Sequence, residues 1–539
     1  MLRDDWAPPL FGWLYSRSAP WSLPLGHAPG YLHPVGTSLA FTDATPWVST
    51  FFKLLSPLLP DVFQVHGPWL ALCFALQGFF GVRIAACFTS RPLLQLLAGT
   101  LFVLSPALHS RLAHLSLCGH WLVLALLWLH LRPVPAPHAA PRTLALAALF
   151  VALAAGIHVY LAVMTLALAV ALTARLWLFD KHLSGPRAAA WALGLLGVAL
   201  GVMGLFGYFS GVTTEAFGYN FFSANLLTFI DPAGASRFLP SFPIGRRQYE
   251  GSAYLGLGVL GLAAFAWGGL MVRRRHEGPL LARHLWPLIA ACLSMAVFAF
   301  SARVMLGQSV VLSYEGLYAA LLDPLGKVFR SPGRFIWPLH YALLTAAVAA
   351  LLRLLGQHPR LAAGALGLSL TVQALEVPED RVRGALFQPE ALALPGGTAT
   401  WALATGHYRH VVLHPPVMVD GAGHGCQPDD TTFSTAESLP FAWQAWQAGM
   451  TFNTGYVARV NESRILATCE AVKRALREGR LEEDTVYVVH VSAAARFLED
   501  TAGRATCGSL DGVLVCVSAR KPGPFREALA RVPVSGSPR

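Results

Sequence analysis

The sequence predicts an α-helical polytopic membrane protein of about ten spanning helices, followed by a C-terminal α/β domain on the far side of the membrane. Three observations predict it. Of 539 residues, 55% are hydrophobic and only 13% charged, with a mean hydropathy of +0.51. A soluble globular chain carries about 25% charged residues, so this chain requires lipid as its solvent. Apolar windows of spanning length recur as far as residue 377, and beyond Val377 charge, Asn and Gln return.

Windows of roughly 17–25 apolar residues cross a hydrocarbon core of about 30 Å. They fall at about 66–88, 93–108, 115–131, 143–157, 160–179, 188–208, 252–272, 281–300, 334–355 and 360–377. The run Phe51 to Pro60 is apolar but too short and too proline-rich to span, and is expected along the interface. The domains are therefore a first-loop region with interfacial helices (1–65), a transmembrane helical domain (66–377) and the α/β domain (378–539).

Orientation follows from alternate loops. One set holds Arg91, Arg132, Arg142, Arg175, Lys181, Arg187, Arg273, Arg274, Arg275, Arg283, Arg353 and Arg360, about 12 basic residues in roughly 50. The other set (109–114, 158–160, 209–251 and 301–334) has about 8 in roughly 80. The positive-inside rule makes the first set cytoplasmic. An even number of crossings then places both chain ends in the periplasm of an inner-membrane protein. Met1 to Pro9 hold acids and prolines and no signal peptide, so a further helix is expected upstream of Met1. The net charge of +11 resides in these loop clusters, which excludes nucleic acid as the partner and leaves the bilayer.

In the tail, His410 to His414 and Thr485 to Val491 read as strands and Ser463 to Gly479 as an amphipathic helix. Four of the eight cysteines lie there: Cys426, Cys469, Cys507 and Cys516. An Asp511-Gly512 hairpin turn sets Leu510 opposite Val513 and hence Cys507 opposite Cys516. A non-hydrogen-bonded pair has Cα atoms about 4.5 Å apart, within disulfide range. Cys426 is left for Cys469, one of the three connectivities four cysteines permit. Oxidation suits the periplasm. Cys73, Cys87, Cys118 and Cys292 lie in apolar helices and read as small hydrophobes.

Polar residues gather at the outer helix ends: Asp4, Asp5 and Asp43 first; Asn225, Asp231, Arg237, Arg247, Tyr249 and Glu250 in the loop 209–251; then Arg330 and Arg334; and His114, His120 and His158. Acids beside arginines at a membrane interface suit one task. A carboxylate takes a proton from an acceptor hydroxyl while arginines hold an anionic lipid leaving group. Each residue also has a structural reading. Asp43 fits a turn or helix cap, Tyr249 and Glu250 a helix start, Arg237 and Arg334 snorkelling anchors, and His158 a tight outer turn. Asn461-Glu-Ser463 matches a glycosylation pattern that is common by chance. The chain contains no phosphate-cradling glycine loop, no HExxH and no CxxC.

A resemblance adds to this reading. Gly12-Trp13, Thr42-Asp43, Leu54-Leu-Ser-Pro-Leu-Leu-Pro60, His114-Leu-Ser-Leu-Cys-Gly-His-Trp121 and Asn225-Leu-Leu-Thr-Phe-Ile-Asp-Pro232 resemble a family of bacterial integral-membrane proteins without an assigned activity. So do Ser236-Arg-Phe-Leu-Pro240, Gln248-Tyr-Glu-Gly251, Tyr254-Leu-Gly-Leu-Gly258 and Gly333-Arg-Phe335, and the likeness runs from about Asp5 to Val517. That family is regarded as similar to the C-type (GT-C) membrane glycosyltransferases, which use polyprenyl-phosphate-linked sugars outside the cytoplasm. The resemblance implies Asp5 as catalytic base and Asp43 as a second acid that orients the acceptor or holds a divalent cation. The outer-face clustering of acids and arginines adds Arg237 and Arg334 as ligands of the donor phosphate, with Tyr249, Glu250 and His158 beside the substrate. Where the family carries Asp-Pro-Ala-Gln-His, this chain reads Asp5-Trp-Ala-Pro-Pro9. The rival expectation is a non-enzymatic envelope protein, either a lipid-glycan translocator or an assembly scaffold.

Overall fold

The structure is a computed structural model that describes residues 6–211, 218–245, 247–273, 282–321, 323–378, 393–416 and 432–534. Asp4, Asp5, Arg274, Arg275 and Cys426 lie outside the described residues. The chain forms two compact units. The first gathers Met1–His66, Gly204–Thr214 and Gln388–Arg539; the second holds Gly67–Met203 and Glu215–Phe387.

The second unit is helical. Each of the ten apolar windows contains a helix. Six are long and apolar enough to cross a membrane: His66–Ala85, Pro92–His109, Pro137–Ala155, Val159–Leu178, Gly185–Leu205 and Pro332–Leu354. Leu115–Leu131, Leu257–Val272 and Arg283–Ala299 are shorter apolar helices, and Pro359–Glu376 forms an 18-residue helix. Lipid offers no hydrogen bonds, so polar groups inside such a bundle must satisfy one another. Several do so in pairs: Ser105 Oγ lies 2.9 Å from His340 Nε2, His340 Nδ1 2.7 Å from the Ala253 carbonyl, and His120 Nδ1 2.7 Å from the Tyr341 hydroxyl.

Strands form three sheets among the described residues. β1 (His27–Ala28) pairs with β2 (Thr37–Ser38), and β3 (Arg303–Leu306) with β4 (Ser309–Ser313). The third sheet holds β5 (His410–His414), β6 (Thr451–Phe452), β7 (Thr485–Val489), β8 (Ala505–Leu510) and β9 (Val513–Ser518), in the order β6-β5-β7-β9-β8. β5 runs parallel to β6 and β7, while β9 is antiparallel to β7 and β8. The Asp511-Gly512 turn has positive φ at both residues, 46° and 85°, as a type I′ hairpin demands. Cys507 faces Cys516 across it, Cα atoms 4.1 Å apart, in a disulfide. Cys469 is disulfide-bonded as well.

The N-terminal region is part of this sheet domain rather than a separate loop region. Helix Ala7–Ser18 is buried along most of its length. Phe11 and Tyr15, one turn apart, both stack on Tyr31, with centroids 5.9 and 5.2 Å away. The Tyr15 hydroxyl donates to the Ala442 carbonyl at 3.1 Å, and Phe11, Tyr15 and Tyr31 share one core with Trp401, Val411, Phe441 and Val486. Tyr31 bridges Phe452, so the N-terminal segment extends the edge of the sheet at β6. Gly12 is required here: a Cβ would stand 2.0 Å from Thr42 Oγ1.

Candidate functional site

The site is built in the second unit from three loops that precede helices. Glu250 sits in the one-turn helix Gln248–Gly251 ahead of Leu257–Arg273. Arg334 lies in Pro332–Ile336, which leads into Trp337–Leu354. Arg111 lies between Pro106–His109 and Leu115–Cys118. The first two loops touch through glycine. A Cβ on Gly333 would come within 2.7 Å of the Gly251 Cα, and one on Gly251 within 2.5 Å of the Ala224 Cα. Any side chain there would force the loops apart, and with them Glu250 and Arg334.

Glu250 is 5% exposed, and its Oε2 accepts from Arg111 Nη1 at 2.6 Å and from Arg334 Nε at 3.0 Å. Its Oε1 lies 3.9 Å from His114 Nε2. Arg111 also donates to the Tyr249 carbonyl at 3.2 Å and lies over the Trp337 ring. The Arg334 guanidinium stands over the Tyr160 ring, 4.9 Å from its centroid, and the Tyr160 hydroxyl accepts from the Ser331 amide at 2.7 Å. His158 caps helix Val159–Leu178 by accepting from the Tyr160 amide. Burial alone would raise the Glu250 carboxyl, but Arg334 and Arg111 outweigh it and hold the group far below the usual carboxylate range. Burial, reinforced by Arg334, pushes the His114 imidazole down to about 3. His158 is lowered by burial and then by Arg334 and His114. Both rings are neutral at pH 7.

One carboxylate facing two guanidiniums leaves the cluster net positive. Arg330 and Arg247 add to it, both over the Phe222 ring, 4.9 and 5.6 Å from its centroid. Gln248 links the cluster to the β3–β4 hairpin: its side chain accepts from Asn225 at 2.8 Å, and Asn225 donates to the Gly307 carbonyl at 2.8 Å. That hairpin and the neighbouring loops expose large apolar groups, including Phe221 (53%), Val311 and Leu312. The cluster thus joins a net positive charge to a border of exposed apolar loops.

A family model described as "Domain of unknown function (DUF6311)" matches residues 1–378, and another, "DUF6311 C-terminal domain", matches residues 400–518. The chain belongs to the DUF6311 family. No match is found among curated proteins. The first DUF6311 match takes in every residue of the charged cluster and the N-terminal helix of the first unit.

Of the residues singled out in the sequence, Tyr249, Glu250, Arg334 and His158 meet around this DUF6311 cluster. Arg237 does not join them. Its backbone amide donates to the Glu376 carbonyl at 3.0 Å and its Nε to that of Leu375, which caps helix Pro359–Glu376. Asp43 belongs to the first unit, in the left-handed region (φ 59°) between Leu39–Phe41 and helix Pro46–Leu54. It lies close enough to the buried Tyr208 that its charge, after burial, raises that hydroxyl. Asn461 caps helix Glu462–Arg477, accepting from the Arg464 amide at 3.1 Å. Among the described residues no three His, Cys, Asp or Glu side chains gather as metal ligands would. Arg111 was not among the residues singled out. Its signal was a charge in the short outer loop 109–114, between two apolar windows.

Proposed function

We propose that the protein is a membrane glycosyltransferase of the C type, moving a sugar from a polyprenyl-phosphate carrier to an envelope glycan or lipid. In this reading all ten helices cross the inner membrane. Six crossings separate His66 from Leu205 and four separate Leu257 from Glu376, so each return of the chain comes back to the same side. The arginine-rich turns make that side the periplasm, and the Cys507–Cys516 disulfide fits an oxidising compartment.

The observation that carries the reading is the Arg111–Glu250–Arg334 cluster, flanked by Arg247 and Arg330. Buried ion clusters seldom stabilise a fold better than apolar residues would. This cluster's net positive charge, bordered by exposed apolar loops, supports a role in holding a lipid-linked phosphate. Arg334, Arg330 and Arg247 hold the donor phosphate and stabilise it as a leaving group. Asp5 as the base that takes the acceptor's proton, and Asp43 as the acid that orients the acceptor or holds a divalent cation, rest on the sequence resemblance and not on the geometry of this cluster.

Transfer from a polyprenyl-phosphate sugar, measured in membranes, tests this. Asp5→Asn and Asp43→Asn are expected to lower the rate by a factor of about 10² or more, the usual contribution of a general base. Arg247→Ala with Arg330→Ala is expected to raise the donor KM roughly tenfold, the equivalent of about 1.4 kcal/mol. Rates equal to wild type in all variants would remove these residues from the mechanism. Absence of any transfer, with lipid-linked glycan still crossing the membrane, would favour a translocator.

A further inference from the structure

In the first unit two short segments form one apolar face. Arg17, at the end of helix Ala7–Ser18, donates to the carbonyls of Ser56, Leu59, Pro60 and Asp61 at 2.8–3.3 Å. Lys53 Nζ donates to the carbonyls of Ser16 and Ala19 at 2.6 and 2.9 Å and lies over the Trp21 ring. Both cations are therefore spent on backbone carbonyls, and they staple residues 51–61 to residues 16–21. On the surface so fixed stand Trp21 (52% exposed), Leu23 (79%), Phe51 (57%), Leu54 (66%), Leu58 (82%) and Val62 (56%). Six large apolar groups exposed on two segments stapled together mark a contact surface.

The chain itself indicates what covers it. Val62 precedes the first residue of the apolar helix His66–Ala85 by four positions, a distance of at most about 14 Å. The Leu25 amide donates to the carbonyl of Leu205, the last residue of helix Gly185–Leu205, at 2.8 Å. Both segments thus run into the ends of apolar helices of spanning length, and a helix that crosses a bilayer ends where lipid headgroups meet acyl chains. Tryptophan, phenylalanine and leucine side chains with lysine and arginine behind them are the composition of interfacial anchors.

We propose that this face is a lipid-inserted foot, with Trp21, Leu23, Phe51, Leu54, Leu58 and Val62 buried in the headgroup–acyl boundary of the leaflet where His66–Ala85 begins. Its partner is bilayer phospholipid, recognised through apolar area rather than headgroup charge, because Arg17 and Lys53 are already engaged. The proposal rests on His66–Ala85 crossing the bilayer and is independent of sugar transfer.

The test uses the full chain with Cys87→Ser, reconstituted in phosphatidylcholine–phosphatidylglycerol nanodiscs. Nitroxide labels are placed separately at Leu58→Cys, at Leu72→Cys within helix His66–Ala85, and at Arg474→Cys on the exposed face of Glu462–Arg477. Collisions with molecular oxygen, which enriches in lipid, and with a water-soluble nickel chelate are compared. The oxygen-to-nickel ratio at position 58 is expected to approach that at 72 and to exceed that at 474 severalfold. A ratio at 58 equal to that at 474, with 72 still lipid-exposed, would overturn the foot alone. A ratio at 72 equal to that at 474 would overturn the crossing of His66–Ala85 and the foot with it. Low collision with both reagents at 58 would mean that protein covers the face, and would overturn it too.

Discussion

In the second unit the loops at 218–251 and 329–336 are fixed around buried charge: Glu250 draws in Arg111 and Arg334, and glycines let the strands of chain touch. In the first unit the loops at 26–45 and 448–460 are fixed around rings and backbone pairing. Tyr31 lies between Phe11, Tyr15 and the sheet edge, while the Phe452 and Ala458 amides donate to the Gly30 and Phe41 carbonyls at 2.8 and 2.7 Å. The second solution is the ordinary one, since apolar burial stabilises by about 1.5–3 kcal/mol per large side chain. The first carries a desolvation penalty of several kcal/mol per ion. Keeping it where rings would serve argues that the charges do more than hold loops.

The largest test of that contrast is Glu250→Gln, which leaves two buried guanidiniums facing each other. It should cost about 3–5 kcal/mol, read as a large fall in the unfolding midpoint in detergent. Replacing all three of Arg111, Glu250 and Arg334 with Met removes the charges together and should restore stability to within about 2 kcal/mol of wild type. Transfer activity should not return with it. A stable and active triple variant would reduce the cluster to scaffolding.

A smaller effect is expected in the first unit. Cys507→Ser with Cys516→Ser opens a loop of sequence separation 9, for which loop entropy gives about 2.5 kcal/mol. Because the hairpin is the β8–β9 end of the sheet, the loss should appear as faster amide exchange in β8 and β9, with the second unit unchanged. The smallest effect is with pH. His114 titrates at about 3 in the folded protein against 6.5 unfolded. Below 6.5 the unfolded chain therefore binds the extra proton and stability falls as pH drops. From pH 7 to 5 His114 alone should account for a loss on the order of 2 kcal/mol, and His114→Gln should remove that share of the slope.

How much of this was readable in the residues follows from range. The Asp511-Gly512 hairpin and its disulfide register were legible because turn chemistry is local. The helix windows were legible because hydrophobicity sums along the chain. Glu250 and Arg334 stood out as charges beside apolar runs, yet the second arginine that Glu250 binds did not. Arg111 is 139 positions from Glu250, and no periodicity encodes such a pairing. Helix Ala7–Ser18 was opaque for a related reason. Its twelve residues are apolar on nearly every face, which reads equally as a membrane-associated segment or as a buried core element. Only the tyrosines and tryptophans of a distant segment decide between them.

The first unit is closed by stretches that the ribosome delivers far apart: Ala442 and Trp446, which bond to Tyr15 and Leu14 of helix Ala7–Ser18, emerge more than four hundred residues after that helix. At about 5–20 residues per second, that helix waits tens of seconds with its apolar surface unclaimed. Until the segment around Ala442 and Trp446 has been translated, it must shelter in lipid or on a chaperone, so ribosomal pausing between the two would prolong its exposure to aggregation and proteolysis.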